Sequence, residues 1–135
     1  MLREQAGQAK CVRGVARRSK RMGTVDDYLD GLDPDDRAVI SRIYDVSRDT
    51  VPGTAQGKGY GMPALTYRGS PLLSVMRTKK HIGLYPFSPD AVDAGRPFLA
   101  GFDVQKGTVR FQPDAPPSDD AIRAMMTFRR DQIDG

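Results

Sequence analysis

Apolar residues in this chain recur at two different periods, and the change from one to the other marks out its elements. Val39, Ile40, Ile43 and Val46 return at helical spacing while Arg37, Arg42, Asp45, Arg48 and Asp49 fill the other face, which predicts an amphipathic helix running to about Thr50. Asp33-Pro34-Asp35-Asp36 opens it with an N-cap aspartate, a proline in the first turn and acids near the positive end of the helix dipole. A shorter helix precedes it, with Thr24 as N-cap, Asp27 positioned to reach back to the cap, and Gly31 as the stop. A last helix starts at Ser118, with Asp119 and Asp120 in its first turn and Ile122, Met125, Met126 and Ile133 as its apolar stripe. Arg129 and Arg130 stand near its carboxyl end, where positive charge is favoured.

Between these helices the period shortens to two. Ala64 to Tyr67, Leu72 to Arg77 and His81 to Tyr85 read as strands joined by turns at Arg68-Gly69-Ser70-Pro71 and Thr78-Lys79-Lys80, an antiparallel meander. Ile82 and Leu84 share one face and His81, Gly83 and Tyr85 the other, the alternation of a sheet covered mainly on one side. Val51 to Gly61 holds one proline and four glycines and reads as a loop leading into an edge strand. Ser88-Pro89-Asp90 starts a helical stretch broken at Gly95 and Pro97, and a final strand sets Val109 and Phe111 against Thr108 and Arg110. The expected architecture is α+β, with helices packed on one face of a small antiparallel sheet. Its opposite face is the expected place for function.

A chain of 135 residues has room for one domain with a single core. The net charge of +4 suggests nucleic acid until it is divided along the chain. Residues 1–23 hold seven basic residues and one acidic residue, a balance of +6, whereas residues 24–135 carry 14 basic and 16 acidic, a balance of −2. The domain is therefore expected at 24–135, behind a basic leader at 1–23 that is expected to be disordered, and nucleic acid is not an expected partner. Translation beginning at Met22 would yield the domain without that leader. The single cysteine, Cys11, excludes an internal disulfide and fits a reducing cytoplasm. The leader has no apolar stretch of the kind a secretory signal needs, and no long hydrophobic span suggests a membrane.

No nucleophile stands beside a base in sequence, no Cys/His metal spacing occurs, and no glycine-rich loop cradles a phosphate, so an enzyme is not expected. His81 is the only histidine; it reads first as a scaffold or edge residue and is also a candidate ligand- or partner-binding residue. Tyr60, Tyr67 and Tyr85, with Lys58, Lys106 and Arg110, are candidates to line the uncovered sheet face and bind a small anionic molecule or a partner peptide. The competing reading has these tyrosines simply covering half-exposed sheet. The methionines, at strand and helix spacing, read as core filling.

Three segments carry a family resemblance. Tyr60-Gly61-Met62-Pro63-Ala64, His81-Ile82-Gly83-Leu84-Tyr85-Pro86 and Lys106-Gly107-Thr108-Val109-Arg110-Phe111 follow in this order between flanking helices. Over roughly residues 24–131 they resemble the YdhG-like family of small bacterial proteins, the domain of unknown function family 1801. The resemblance implies a frataxin-like α+β sandwich and, for one branch of the family, an intracellular iron chaperone that hands ferrous iron to a protein partner. Such a chaperone needs hard oxygen ligands held loosely. Asp26, Asp27, Asp30 and Asp33 are the candidates for an exchangeable ferrous-iron site, with helix capping as the competing account of the same acids.

Overall fold

The computed structural model describes residues 23–135; the leader expected at 1–23 lies, apart from Gly23, outside the described residues. Helices α1 (Thr24–Asp30) and α2 (Pro34–Thr50) are followed by strands β1 (Thr54–Gly59), β2 (Met62–Tyr67), β3 (Ser70–Arg77) and β4 (Ile82–Tyr85). Helix α3 (Pro89–Gly95) and a 3-10 turn (Arg96–Phe98) lead to β5 (Asp103–Gln105), β6 (Thr108–Phe111) and α4 (Asp119–Asp134). The strands form one six-stranded sheet in the order β1-β2-β3-β4-β6-β5, and every neighbouring pair is antiparallel. This is the expected α+β architecture with a larger sheet. No helix among the described residues is long and apolar enough to cross a membrane.

One core unites the layers. Ile82, Leu84, Val109, Leu73 and Val75 from the sheet pack with Val25 of α1, Ile40, Ile43 and Tyr44 of α2, Val92 of α3, and Ile122, Met125 and Met126 of α4, all essentially without exposure. Cross-strand partners point to the same side of a sheet. The pairings Val75↔Leu84 and Leu84↔Val109 therefore build the covered face, while Gly83↔Arg110 and Asp103↔Arg110 build the other.

Two turns owe their shape to the segments singled out above. Tyr60-Gly61 joins Gly59 to its partner Met62, and Arg68-Gly69 joins Tyr67 to Ser70. Both residues of each turn have positive φ: 51° and 79° in the first, 52° and 82° in the second. This is the type I′ signature, whose twist matches the flanking strands. A bulky residue in the left-handed region costs about 1 kcal/mol, so Tyr60 and Arg68 hold these positions against their own preference.

Pro63 shapes the sheet further. Pairing of β2 with β3 runs from Tyr67↔Ser70 to Leu65↔Leu73, with Leu72 as an extra residue that shifts the register. Pro63 has no N–H to offer the ladder; its carbonyl instead accepts from Ser74 Oγ at 2.7 Å. Two tyrosine hydroxyls serve the β3 amides beyond this point. Val75 N–H donates to Tyr44 Oη of α2 at 2.9 Å, and Arg77 N–H donates to Tyr28 Oη of α1 at 2.7 Å. Asp36 of α2 also accepts from Arg77 Nε at 3.2 Å. Both amino-terminal helices are thereby fastened to one strand.

Four expectations are corrected. Val51 to Gly61 is not a loop, because β1 pairs with β2 over six residues and α1 grips it: Thr24 Oγ1 donates to the Gly57 carbonyl, and Gln56 accepts from Asp26 N–H and donates to Asp26 Oδ2, both at 2.9 Å. Thr24 consequently lies inside α1, with Gly23 at the N-cap and Gln56 supplying the cap from another element. The short edge strand β5 was not expected. Arg129 and Arg130 precede the last turn of α4, and Arg129 donates twice to the Pro71 carbonyl, at 3.1 and 2.9 Å, instead of serving the helix end. Burial lowers the pKa of that guanidinium, with the nearby Tyr60 phenol acting in the opposite sense.

Removing the Tyr44 hydroxyl should expose what it does. Tyr44→Phe leaves the Val75 amide buried and unpaired, and chemical denaturation is expected to show a loss of about 1–3 kcal/mol. The pH dependence follows from the same group. Burial pushes the Tyr44 phenol from 10.0 up to about 12, more than offsetting the hydrogen bond from Val75 that favours ionisation. The unfolded chain thus ionises first. Stability from this group is complete below about pH 10 and is lost as pH rises toward 12. Unfolding curves across that range should fall more steeply for the wild type than for Tyr44→Phe.

Candidate functional site

The sheet face away from the helices carries two depressions, one at each end of the β4–β6 pair. Antiparallel pairing brings the start of β4, the end of β6 and the start of β5 to one end. There Lys80, His81, Phe102, Asp103, Arg110 and Gln112 surround a cleft of about 410 Å³. The turn before β4 fixes its rim. Thr78 N–H and Oγ1 both donate to the His81 carbonyl, at 2.8 and 2.9 Å, and Thr78 Oγ1 accepts from His81 N–H at 3.2 Å. Gln112 Nε2 then donates to the Lys80 carbonyl at 2.8 Å, tying that turn to the residue after β6.

Arg110 lies opposite Gly83, which contributes no side chain of its own beside it. Its loose partner is Asp103 on β5, Nη1 to Oδ2 at 3.8 Å, with both groups about half exposed. An ion pair of this kind is worth at most about 1 kcal/mol, and an incoming anion displaces it at little cost. The side chains of Lys80 and His81 make no hydrogen bond or ion pair with any described residue. One carboxylate thus faces two permanent cations and an imidazole, a field that attracts anions, while Phe102 supplies an apolar wall.

The second depression, about 240 Å³, lies where β4 ends and β6 begins, between Tyr60, Met62, Tyr85, Phe87, Pro89 and Gly107. Tyr60 is 88% exposed and stacks on Phe87, with ring centroids 5.6 Å apart and planes 29° from parallel. Phe87 also has positive φ, 59°. Its ring fills the space above Gly59, where an added Cβ would meet it at 2.6 Å. Tyr85 behaves similarly, folding back over Gly83 so that an added Cβ there would lie 2.6 Å from the phenol oxygen.

The residues proposed from sequence are thus sorted by the fold. His81 and Arg110 share the cleft, and Tyr60 and Tyr85 share the aromatic groove, with Lys106 in the turn beside Gly107. Tyr67 does not join them; its ring packs against the core, with the Arg68 guanidinium 5.5 Å above it. Lys58 is exposed on the edge strand β1. Asp26 and Asp30 line a separate groove with Arg37, Asp45 and Arg48. Asp27 and Asp33 are exposed, and Asp33 sits at the N-cap of α2 without a side-chain cap bond. Among the described residues no three His, Cys, Asp or Glu side chains gather in a way that could hold a metal ion. Asp103 and Phe102 escaped sequence reading because β5, only three residues long, gave no periodic signal. Phe87 and Met62 were concealed by turn and strand positions that read as scaffold.

No family model and no curated protein matches the chain. A similar solved structure is that of YdhG, a protein from the DUF1801 family of Bacillus subtilis, with 20% sequence identity over 82% of this chain and 92% of that one, and a TM-score of 0.70. At this identity the likeness establishes the fold: the chain adopts a YdhG-like α+β architecture.

Proposed function

We propose that this chain is a non-enzymatic, cytoplasmic member of the YdhG-like family whose open sheet face captures a small anionic molecule in the cleft of Lys80, His81 and Arg110. The observation that carries this reading is the convergence of the adjacent Lys80 and His81 with Arg110 of β6 on one 410 Å³ cleft, with Lys80 and His81 unengaged and Arg110 held only loosely. Arg110 offers a planar fork to a carboxylate or phosphate, and Lys80 adds a point charge. Binding is favoured over catalysis because the cleft pairs no nucleophile with a base.

Iron delivery through Asp26, Asp27, Asp30 and Asp33 has less support. Asp26 is held by Gln56, and the four acids do not converge on one point that could serve as a metal centre.

Titration with inorganic phosphate, followed by calorimetry and by the amide shifts of His81 and Arg110, tests the proposal. Charge-assisted hydrogen bonds are worth about 1.5–3 kcal/mol, so Arg110→Gln should weaken binding about ten- to a hundredfold. Arg123→Gln, an exposed change on α4, should leave it unaltered. Equal affinity in wild type and Arg110→Gln would refute the assignment.

A further inference from the structure

The cleft and the aromatic groove lie at opposite ends of the same short stretch of sheet. His81 rims the first and Tyr85 the second. Four residue steps of extended chain separate them, about 13 Å. Gly83 forms the floor between, opposite Arg110, and the Tyr85 ring folds back over it, the phenol oxygen 2.6 Å from where a Gly83 Cβ would stand. That hydroxyl makes no hydrogen bond with a described residue. No side chain of β4 stands up between the two depressions except this one ring.

The ends differ chemically. One gathers Lys80, His81 and Arg110; the other is walled by Tyr60, Phe87, Met62 and Pro89. Tyr60 and Phe87 are both held in the left-handed backbone region, and the stacked pair leaves Tyr60 almost wholly in water. An exposed aromatic ledge maintained against backbone preference is a platform for another flat apolar group.

We infer that the two depressions are one bipartite site for an elongated amphipathic anion, whose carboxylate or phosphate head sits between His81 and Arg110 and whose planar apolar tail stacks on the Tyr60–Phe87 ledge. This rests on the anion cleft of the preceding section and adds the tail, the length and the second set of contacts. The Tyr85 phenol lies under the middle of the ligand and serves as a hydrogen-bond donor or acceptor for a polar linker. The head fixes the orientation by charge, and the tail supplies affinity by burying aromatic surface.

The test uses four probes: methyl phosphate, acetate, and a phosphate and a carboxylate each carrying a naphthyl ring on an alkyl chain long enough to span the stretch. At least one long probe should bind about tenfold or more tightly than its short counterpart, shifting the resonances of Tyr60, Met62 and Phe87 as well as those of His81 and Arg110. Tyr60→Gly removes the ring and suits the positive φ of the turn, so the fold is kept. In that variant the long probe should fall to nearly the affinity of the short one, which itself stays unchanged. Long probes binding no tighter than short ones, or an advantage that survives Tyr60→Gly, would overturn the bipartite site and leave the anion cleft standing. Failure of both short probes to perturb His81 and Arg110 would remove the cleft as well.

Discussion

Two hydroxyl-to-amide hydrogen bonds, from Val75 to Tyr44 and from Arg77 to Tyr28, carry a burden out of proportion to their number. A buried backbone N–H without a partner is among the costlier defects a small domain can hold, and the pairing of β3 with β2 ends at Leu73, short of the Val75 and Arg77 amides. The tyrosines satisfy them from the helix side. In doing so they set the height and orientation of α1 and α2 over the sheet. The remaining core then follows, because Ile40, Ile43 and Val25 are carried onto the sheet by the same helices.

This arrangement also determines which side of the sheet is left free. With α1 and α2 anchored from the core side, and α4 fastened through Arg129 to the start of β3, the helices share one face. On the other face Tyr85, Thr108 and Arg110 stay exposed or half-exposed, with Gly83 buried under the Tyr85 ring. The segment Tyr60-Gly61-Met62-Pro63 contributes to both sides of the outcome: the Pro63 carbonyl accepts from Ser74 of β3, and the turn holds Tyr60 out on the open face. Gly83 also shapes the open face. Its missing side chain makes room for the Tyr85 ring to fold back over the strand, across from Arg110.

Much of this was legible in the sequence. The apolar stripes of α2 and α4, the three-strand meander of β2, β3 and β4, the Ser118 cap and the alternation across β4 follow from residue periods and turn chemistry alone. The failures have physical causes. β1 is rich in glycine and is held by contacts from α1 that no local pattern records, and β5 is too short to show a period. Tyr28 and Tyr44 sit on helices, and no local pattern records which strand amides their hydroxyls reach. For the site, His81, Arg110, Tyr60 and Tyr85 could be named in advance, yet their division between two depressions needed the register of β4 against β6. Asp103 and Phe87 needed the fold itself.

The functional account depends on the end of the sheet where Lys80, His81 and Arg110 meet. A likeness of fold to YdhG leaves activity open, since function resides in sites carried by folds; the cleft is where this chain places its own chemistry. The most direct measurement is a crystal structure of the protein grown with tungstate, whose anomalous scattering locates a tetrahedral anion without ambiguity. The account predicts tungstate in contact with the Arg110 guanidinium and His81, with Asp103 turned away from its loose pair. Tungstate bound elsewhere on the surface, with that cleft left to water, would contradict it.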